Sequence, residues 1–387
     1  MSGKAVLGTL LCAGLLLGQQ AAVESAWQLL GRGERKAAVQ ALHRILSEHP
    51  DNVDARLLLG SILTEDGEGD EALSQLKEAV RLRPGSAEAH HALAEAYHAF
   101  EQPERARKEY ERTIAINPTF PPAQAALGEI LFQAREFPAA AQHLDRALQL
   151  LGSSPDAAEP HYLRAKVDSE ANELRHAIAH LESAVSLRPD FAEAWSDLGQ
   201  ARRSLQDHDG AKSALMRAVS LAPRDAVAHY RLGAEYLAQN QAHLAVAQLQ
   251  EAFALNPEDQ STLYALQSAL RQDGQADAAR KVKEQLTALL RRRDEAAART
   301  LAGAQLNNQG VAFEKSGNLR AALEKYRAAL ELCPEHAGFR VNYAAALLHL
   351  GRADEGIAEL REALRRNPSD AVVKAALEKA QSQVTPR

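Results

Sequence analysis

Two histidines lie one helical turn apart, which is the spacing of a pair that could share a metal ion. His176 and His180 are four residues apart, so on a helix both imidazole rings would lie on one face. A zinc site needs further His, Cys or carboxylate ligands, and no cysteine lies near this pair in the sequence. We therefore interpret the two histidines as polar residues of a helix surface, and we predict neither a metal site nor a cofactor.

No other motif indicates catalysis. The sequence contains no Walker A phosphate loop, no HExxH zinc helix and no GxSxG nucleophile turn. The two cysteines, Cys12 and Cys333, are too few for a disulfide framework or a zinc cluster. His90 and His91 are adjacent, so on a helix they would face differently, one toward the edge of a core and one toward an open surface. We predict that the chain is not an enzyme.

The charge balance argues against nucleic acid as a partner. The 387 residues include 45 basic and 51 acidic side chains, for a net charge of −6. Such a surface lacks the basic patch that binds phosphates. The one basic run, Arg291–Arg293, is followed at once by Asp294 and Glu295, which favours a solvated, salt-bridged helix face. We therefore predict no nucleic acid and no small-molecule substrate, and a protein or peptide partner instead.

The N-terminus resembles an export signal. Residues 5–18 are uncharged and apolar, too few to span a membrane comfortably but sufficient for the core of a signal peptide. Val23 and Ser25 loosely satisfy the small-x-small cleavage rule, and Ala22 is another possible end. We expect residues 1–22 to be a signal peptide or a retained anchor of an exported protein, periplasmic or secreted. The alternative is an apolar capping helix in a cytoplasmic protein. Membrane contact is expected only through such an anchor.

Prolines reveal an internal repeat. Within each of three groups they are 34 residues apart, and the gaps between groups correspond to two repeats plus short insertions. This spacing divides the chain into ten units, two of which lack the proline. The prolines are Pro50, Pro84 and Pro118, then Pro189, Pro223 and Pro257, and finally Pro334 and Pro368.

Each unit has the pattern of a helical hairpin. Small residues occupy positions 8, 20 and 27, which are Gly60, Ala72 and Ala79 in the second unit. They allow two helices to cross closely, while large residues at positions 4, 7, 11 and 24 fill the space around the crossing. The proline at position 32 ends the second helix. Because one hairpin alone leaves an apolar face open, the units must stack.

This pattern resembles the tetratricopeptide repeat family, and the resemblance covers nearly everything from Gln19 onward. In the sixth unit Arg202 is the one departure from it. The resemblance implies an all-α, right-handed superhelical solenoid of antiparallel helix pairs. It also implies a concave groove lined by the first helix of each pair, which holds a protein or peptide. In the seventh unit the matching residues are His229, Leu232, Gly233, Tyr236, Ala245, Leu249, Ala252 and Pro257.

Departures from the pattern predict the joints. The fifth unit has Arg164 and Asp168 where large apolar residues belong, and the eighth has Lys283 and Arg291 at positions 24 and 32. No helix breaker follows until Gly303, so a long helix is expected there. The predicted order is units 1–4 over 19–152, an insertion at 153–157, units 5–8 over 158–291, a helical linker at 292–302, units 9–10 over 303–368, and a C-terminal capping helix and tail at 369–387.

The resemblance places the binding residues at positions 2, 5, 6, 9, 12 and 13. Some relatives bind a C-terminal carboxylate with a clamp that begins with lysine at position 5. The second, third, sixth and ninth units here have Leu57, His91, Ser196 and Asn307 at that position, which argues against an adaptor for chaperone tails. Tyr and Arg are instead prominent, and both are frequent at binding hot spots. An asparagine amide can bond a peptide backbone in both senses. The predicted groove residues are Tyr162, Arg203, Tyr230, Arg231, Tyr264, Arg271, Asn308 and Asn342.

These observations favour a non-catalytic scaffold that binds a peptide or a partner protein in its groove. Two alternatives remain open at this point. The chain could be a structural part of an envelope or secretion assembly that uses its convex face or terminal units. It could also be an accessory module of an enzyme whose catalysis resides in a separate chain. Any long groove collects some Tyr, Arg and Asn by chance, so the residue types alone do not identify the contact site.

Overall fold

The computed structural model describes residues 21–368 and 370–384. Within these residues all regular secondary structure is helical, and there is no strand. The predicted signal peptide or anchor therefore lies almost wholly outside the described residues. The chain divides into two compact units, which meet in sequence between Leu255 and Asn256. Each unit is an array of helices in which every helix packs against its neighbours in sequence. The predicted all-α solenoid of antiparallel helix pairs is thus confirmed.

The first unit contains seven helix pairs, of which the first is described from residue 21. Its helices are α1 (described over 21–31), α2 (Arg35–Glu48), α3 (Val53–Glu65), α4 (Gly69–Leu82), α5 (Ala87–Ala99), α6 (Pro103–Ile116), α7 (Pro121–Gln133), α8 (Phe137–Leu151), α9 (Ala158–Glu170), α10 (Leu174–Leu187), α11 (Ala192–Ser204), α12 (His208–Leu221), α13 (Ala226–Ala238) and α14 (Ala242–Leu255).

The second unit is built around one helix of 40 residues. The first part of this helix packs on the helix before it, and its last part packs on the helix after it, so it belongs to two successive hairpins. The predicted linker at 292–302 lies inside it, and residues 291–301 are exposed on all sides. Within this stretch Arg291 pairs with Glu295 at 2.8 Å. The helices are α15 (Gln260–Gln272), α16 (Ala276–Lys315), α17 (Leu319–Leu332), α18 (Ala337–His349), α19 (Ala353–Arg366) and α20 (Ala371–Val384).

Every hairpin turns in the same way. The residue at position 15 has a positive φ in all ten repeats, within the described chain, and the next N–H bonds the carbonyl at position 11. This is the Schellman ending of a helix, which normally uses glycine because glycine has no Cβ to strain. Half of the turns lack glycine. The residues are Gly33, Gly67, Glu101, Arg135, Asn172, Gln206, Asn240, Gly274, Gly317 and Gly351.

The two helices of a hairpin cross at the small residue of position 8. A Cβ added to Gly233 would lie 2.6 Å from Cγ of Leu249, the position 24 residue of the facing helix. The same relation holds between Gly128 and Leu144, at 2.7 Å. Both leucines are fully buried, so the large residue of one helix fills the space that the missing side chain of the other leaves open.

Position 4 has a role that the sequence pattern did not reveal. Instead of filling apolar space, its side chain binds the carbonyl of the proline six residues earlier and a residue nineteen positions later on the second helix. His229 contacts the Pro223 carbonyl at 3.1 Å through Nε2 and Gln248 at 2.8 Å through Nδ1. One residue therefore joins the inter-repeat link to both helices of its hairpin. Arg56, His90, Gln124 and Arg340 make the same two contacts, and Trp195 makes the one to proline.

The fifth hairpin replaces apolar packing with an ionic cluster. Arg164 donates to Asp145 of α8 at 2.8 Å and also to Asp168, whose side chain is almost completely buried. The preceding insertion turns at Gly152, where φ is +57°, and then forms a short 3-10 helix, Pro155–Ala157. Removing either partner would leave a charge poorly paired, so this departure from the repeat pattern has its own stabilising contacts.

Helix α20 covers the end of the second unit. Val373 and Ala380 are buried against residues of α19, including Leu360, while Val372 faces outward with 68% of its surface exposed. Apart from that valine, the outer side carries mostly short or polar residues. Helix α20 therefore buries the apolar face of α19 as a capping helix of a repeat array does.

We expect Gly233→Ala to destabilise the protein by about 1–3 kcal/mol, because the added methyl group overlaps a buried leucine that cannot move without disturbing the core. Gly85→Ala is the matched control, since nothing lies within 4 Å of the Cβ that it would add. Chemical denaturation followed by circular dichroism measures both. Equal stability of the two variants would show that the helix crossing tolerates a side chain at position 8.

Candidate functional site

The predicted binding residues lie on the first helices of the hairpins, and in each compact unit we call the surface that these helices present the first-helix face. It consists of positions 2, 5, 6, 9, 12 and 13 of each first helix. In the first unit these helices are α1, α3, α5, α7, α9, α11 and α13, and in the second they are α15, the last part of α16, and α18. Hydrogen bonds between residues 35 positions apart join three pairs of successive first helices on this face: α9 with α11, α11 with α13, and the last part of α16 with α18. Polar side chains there are therefore held in place across repeats as well as within them.

Three consecutive hairpins are linked through Asp197. The Tyr162 hydroxyl donates to Asp197 Oδ2 at 3.1 Å, and Arg231 Nη1 donates to Asp197 Oδ1 at 2.7 Å. Arg231 also donates to the Ser196 hydroxyl at 2.8 Å. These side chains are all half-buried or buried, where charge-assisted hydrogen bonds are strong. Tyr162 and Arg231 are therefore fixed in orientation rather than free to rotate.

Aromatic rings extend this row toward the fourth hairpin. The Lys166 ammonium lies 5.4 Å from the centre of the Tyr162 ring and 5.2 Å from that of Phe132. Phe191 packs against Tyr162 with 4.8 Å between ring centres. Cations attract the faces of aromatic rings, so Lys166 links the fourth and fifth hairpins, just as Asp197 links the fifth, sixth and seventh.

Arg203 lies beside a buried carboxylate. Its Nε is 3.8 Å from Glu235 Oε2, and Glu235 has a fully buried side chain on α13. His208 and Gln239 each bond the other oxygen of Glu235, at 2.9 Å and 3.0 Å. The carboxylate thus fixes the start of α12 to the next hairpin, and Arg203 contributes the nearby positive charge that makes its burial tolerable.

Tyr264 and Arg271 are both exposed in the second unit. Both lie on α15, two helical turns apart, and they border one shallow cavity together with Gln267, Ser268 and Gln272. Tyr264 keeps 49% of its surface exposed, which is high for an aromatic side chain. Tyr230, its equivalent in the first unit, is half-buried.

The two predicted asparagines are not equivalent. Asn342 donates to Asn307 Oδ1 at 2.9 Å, so its amide is partly used within the protein. Asn308 is exposed on the same face of α16 as predicted for position 6. The bonding pair is therefore Asn307 with Asn342, and Asn308 remains open to solvent.

Sequence reasoning missed the two acids that organise this face, Asp197 and Glu235. A signal for Asp197 was present, because Arg231 follows it by one repeat and both occupy position 6. For Glu235 no comparable signal exists, since its position 10 lies outside the set that lines a groove. Its burial depends on the way α12 begins.

The histidine pair considered for metal binding is separated in the structure. His176 bonds Glu173 at 3.0 Å, whereas Nδ1 of His180 lies 2.8 Å from Nδ1 of His161. Within the described part of the chain no three His, Cys, Asp or Glu side chains are placed to hold a metal ion. His180 and His161 instead occupy positions 23 and 4, the same bridge that other hairpins make.

Burial affects the ionisation of the bridging histidines. Burial, and after it the neighbouring His180, lower the pKa of His161 to about 4. Burial also lowers the pKa of His180, although Asp168 opposes that effect. A hydrogen bond between two imidazole nitrogens needs one of them to lack a proton. The His161–His180 contact therefore requires that at least one ring stays neutral.

Family models described as tetratricopeptide repeat match residues 29–96, 63–130, 192–225 and 307–371. The chain belongs to the tetratricopeptide repeat family. It therefore has the fold of protein-interaction scaffolds, which are typically non-catalytic and bind proteins or peptides. In the residues described for this tetratricopeptide repeat protein, none of the helices combines the length and apolar character needed to cross a membrane.

Several curated proteins and solved structures are similar to this tetratricopeptide repeat protein. The human protein O-mannosyl-transferase TMTC1 is 26% identical over 49% of the chain and 20% of its own length. The human DnaJ homolog subfamily C member 3 is 26% identical over 52% of the chain and 36% of its own length. The chain thus spans about a third or less of these relatives. The structure of Pseudomonas aeruginosa pilF is 18% identical, covers 54% of this chain and 94% of pilF, and superposes with a TM-score of 0.51, which shows the fold alone.

We expect the protein to lose stability as the pH falls from about 6.5 toward 4. In the unfolded chain histidine titrates near 6.5. His161 in the folded protein titrates near 4, so between these values the unfolded state binds more protons. His161→Gln should weaken this dependence, because Gln124 forms the equivalent bridge to His143 in the fourth hairpin.

Melting temperatures of both proteins between pH 7.5 and 4.5 test this expectation. His91 also has a pKa lowered to about 4 by burial, so the variant should retain part of the pH dependence. An unchanged pH dependence in His161→Gln would exclude this histidine as its source.

Proposed function

We propose that this tetratricopeptide repeat protein is an exported, non-catalytic scaffold that binds a peptide or a partner protein along its first-helix face. The observation that carries the proposal is the row through Asp197, which orders a tyrosine and an arginine from hairpins two repeats apart. Binding loses less entropy when the contact residues are already fixed, so such a row gives a partner a prepared surface. Tyr and Arg supply the large contact areas and directed hydrogen bonds that dominate binding energies.

The half-burial of these side chains supports the same proposal. A hairpin with no binding role needs only an apolar residue at position 5 to pack against the core. Leu57 is such a residue in the second hairpin. Tyr162, Tyr230 and Tyr264 place a polar hydroxyl at that position instead. A phenol ring combines apolar area with one hydrogen-bonding group, which suits contact with an extended peptide backbone.

The proposal predicts that Tyr230→Ala with Tyr264→Ala abolishes partner capture without unfolding the protein, since neither tyrosine is fully buried. The measurement is affinity capture from the native cell, with the captured proteins identified by mass spectrometry. The control is Met216→Ser with Leu244→Ser, which removes two exposed apolar residues from the second helices α12 and α14.

The two double variants separate the possible binding faces. Loss of a partner only in the tyrosine variant supports the first-helix face. Loss only in the Met216 and Leu244 variant would overturn the proposal in favour of a structural component of an envelope assembly that uses its outer, second-helix face. Circular dichroism of both variants establishes that the helices are intact.

Export is the second part of the proposal, and its support is the charge-free apolar run at residues 5–18 after one lysine. The packing of α1 favours one of the two cleavage sites. Val23 and Ala26 are buried in the core of the first hairpins, near Leu42. Cleavage after Ala22 would keep both residues, whereas cleavage after Ser25 would remove Val23 from this core.

We therefore expect the native protein to begin at Val23 and to be found in the periplasm or the medium. Cell fractionation with N-terminal mass spectrometry measures both properties. A chain that still begins at Met1 in the cytosol would contradict export, and a chain that begins at Ala26 would contradict the choice of cleavage site.

A further inference from the structure

A small cavity opens where the fifth hairpin meets the sixth. Its volume is about 460 Å³, and it lies between the start of α9 and the start of α11, beside the row through Asp197. The residues that line it are Glu159, Tyr162, Arg188, Asp190, Phe191 and Glu193. Aromatic rings and carboxylates together are the groups that surround bound organic cations in proteins.

The aromatic part of the cavity already attracts a cation of the protein itself. The Arg188 guanidinium lies 4.4 Å from the centre of the Phe191 ring, and it is bonded to Glu159 at 3.1 Å. Phe191 is buried and packs against Tyr162, so the two rings form a continuous apolar wall. Because Arg188 already lies over the Phe191 ring, the ring surface left in the cavity for a further planar cation is that of Tyr162.

The rim of the cavity carries two carboxylates that this cation does not neutralise. Asp190 and Glu193 are exposed, and within the described residues neither forms an ion pair or a hydrogen bond through its side chain. The other charges nearby are already paired: Arg188 with Glu159, and Arg231 with Asp197.

Together with burial, the negative charge of this region raises the pKa of Tyr162. Burial is the first cause that raises the pKa of its phenol, and the carboxylates of Asp197, Glu193 and Glu159 raise it further. Lys166 is a further positive group near this ring, 5.4 Å from its centre, and it is shared with Phe132. An excess of negative charge therefore remains at the rim, and it is complementary to a positive group on the partner.

We propose that this cavity receives one arginine or lysine side chain of the partner protein, which stacks on the aromatic wall and pairs with Asp190 and Glu193. The inference rests on the proposed binding along the first-helix face and specifies what the partner must present there. Arginine fits better than lysine, because its flat guanidinium both stacks on rings and bonds carboxylates in a fixed plane. The partner segment therefore needs a basic residue where it passes the junction of the fifth and sixth hairpins.

The test uses blocked pentapeptides with a central arginine, lysine or glutamine between alanine and serine residues. Binding to the full chain is measured by isothermal titration calorimetry at low salt. We expect the arginine peptide to bind most tightly and the glutamine peptide least. Asp190→Asn with Glu193→Gln should weaken binding of the arginine peptide about tenfold, which corresponds to about 1.4 kcal/mol.

The matched control is Asp209→Asn with Asp277→Asn, which removes the same charge from highly exposed positions outside the cavity. It should bind the arginine peptide as the wild type does. Equal weakening in both variants would reduce the effect to net charge and overturn the proposal. Lack of any preference for arginine over glutamine would overturn it as well.

The outcome also separates this inference from the function it rests on. If the Tyr230 and Tyr264 variant loses its partner while the pentapeptides show no preference for a cation, the first-helix face binds and this cavity does not recognise a basic residue. If the pentapeptides bind as expected but the tyrosine variant keeps its partner, the cavity is a cation site and the wider binding face lies elsewhere.

Discussion

The close crossing of two helices at position 8 is the contact on which the rest of the molecule depends. Because Gly233 has no side chain, Leu249 can fill the space above it, and the same exchange of small for large recurs through the array. A crossing this close fixes the angle between the helices. That angle in turn determines which residues of the first helix face outward, so the positions of Tyr162, Asp197 and Arg231 follow from contacts in the core.

Much of this fold could be predicted from the sequence, because the repeat pattern is determined by the packing of helices that are close together in the chain. A period of 34 residues, small residues at fixed positions and a proline at each end specify a hairpin and its neighbour. The bridging role of position 4 could not be predicted in the same way. In the sequence His229 fits the pattern only as a large residue. Only in the folded chain do the Pro223 carbonyl and Gln248 lie beside the two nitrogens of its ring. The turns without glycine were equally hidden, since their residue types vary.

The contacts of the first-helix face were only partly predictable, for a related reason. The 34-residue period identifies which repeat positions face outward, and from it the sequence analysis selected Tyr162, Arg231 and Tyr264. The period does not report which outward side chains bond one another. Asp197 was not predicted because its structural role depends on two hydrogen-bond partners, one in the repeat before it and one in the repeat after it. Such links are a property of the stack and have no counterpart within one repeat.

The turns at position 15 show how strain is distributed along the array. The five turns without glycine belong to hairpins three to seven, while the first two and last three hairpins have glycine there. A non-glycine residue in this backbone conformation costs about 1 kcal/mol. An inner hairpin gains stacking energy from two neighbours and a terminal one from a single neighbour, as in a one-dimensional chain of coupled units. All five strained turns lie in the first unit, and hairpins three to six there each stack on two neighbours, so the cost of their turns is local and the stacking of those neighbours makes it tolerable.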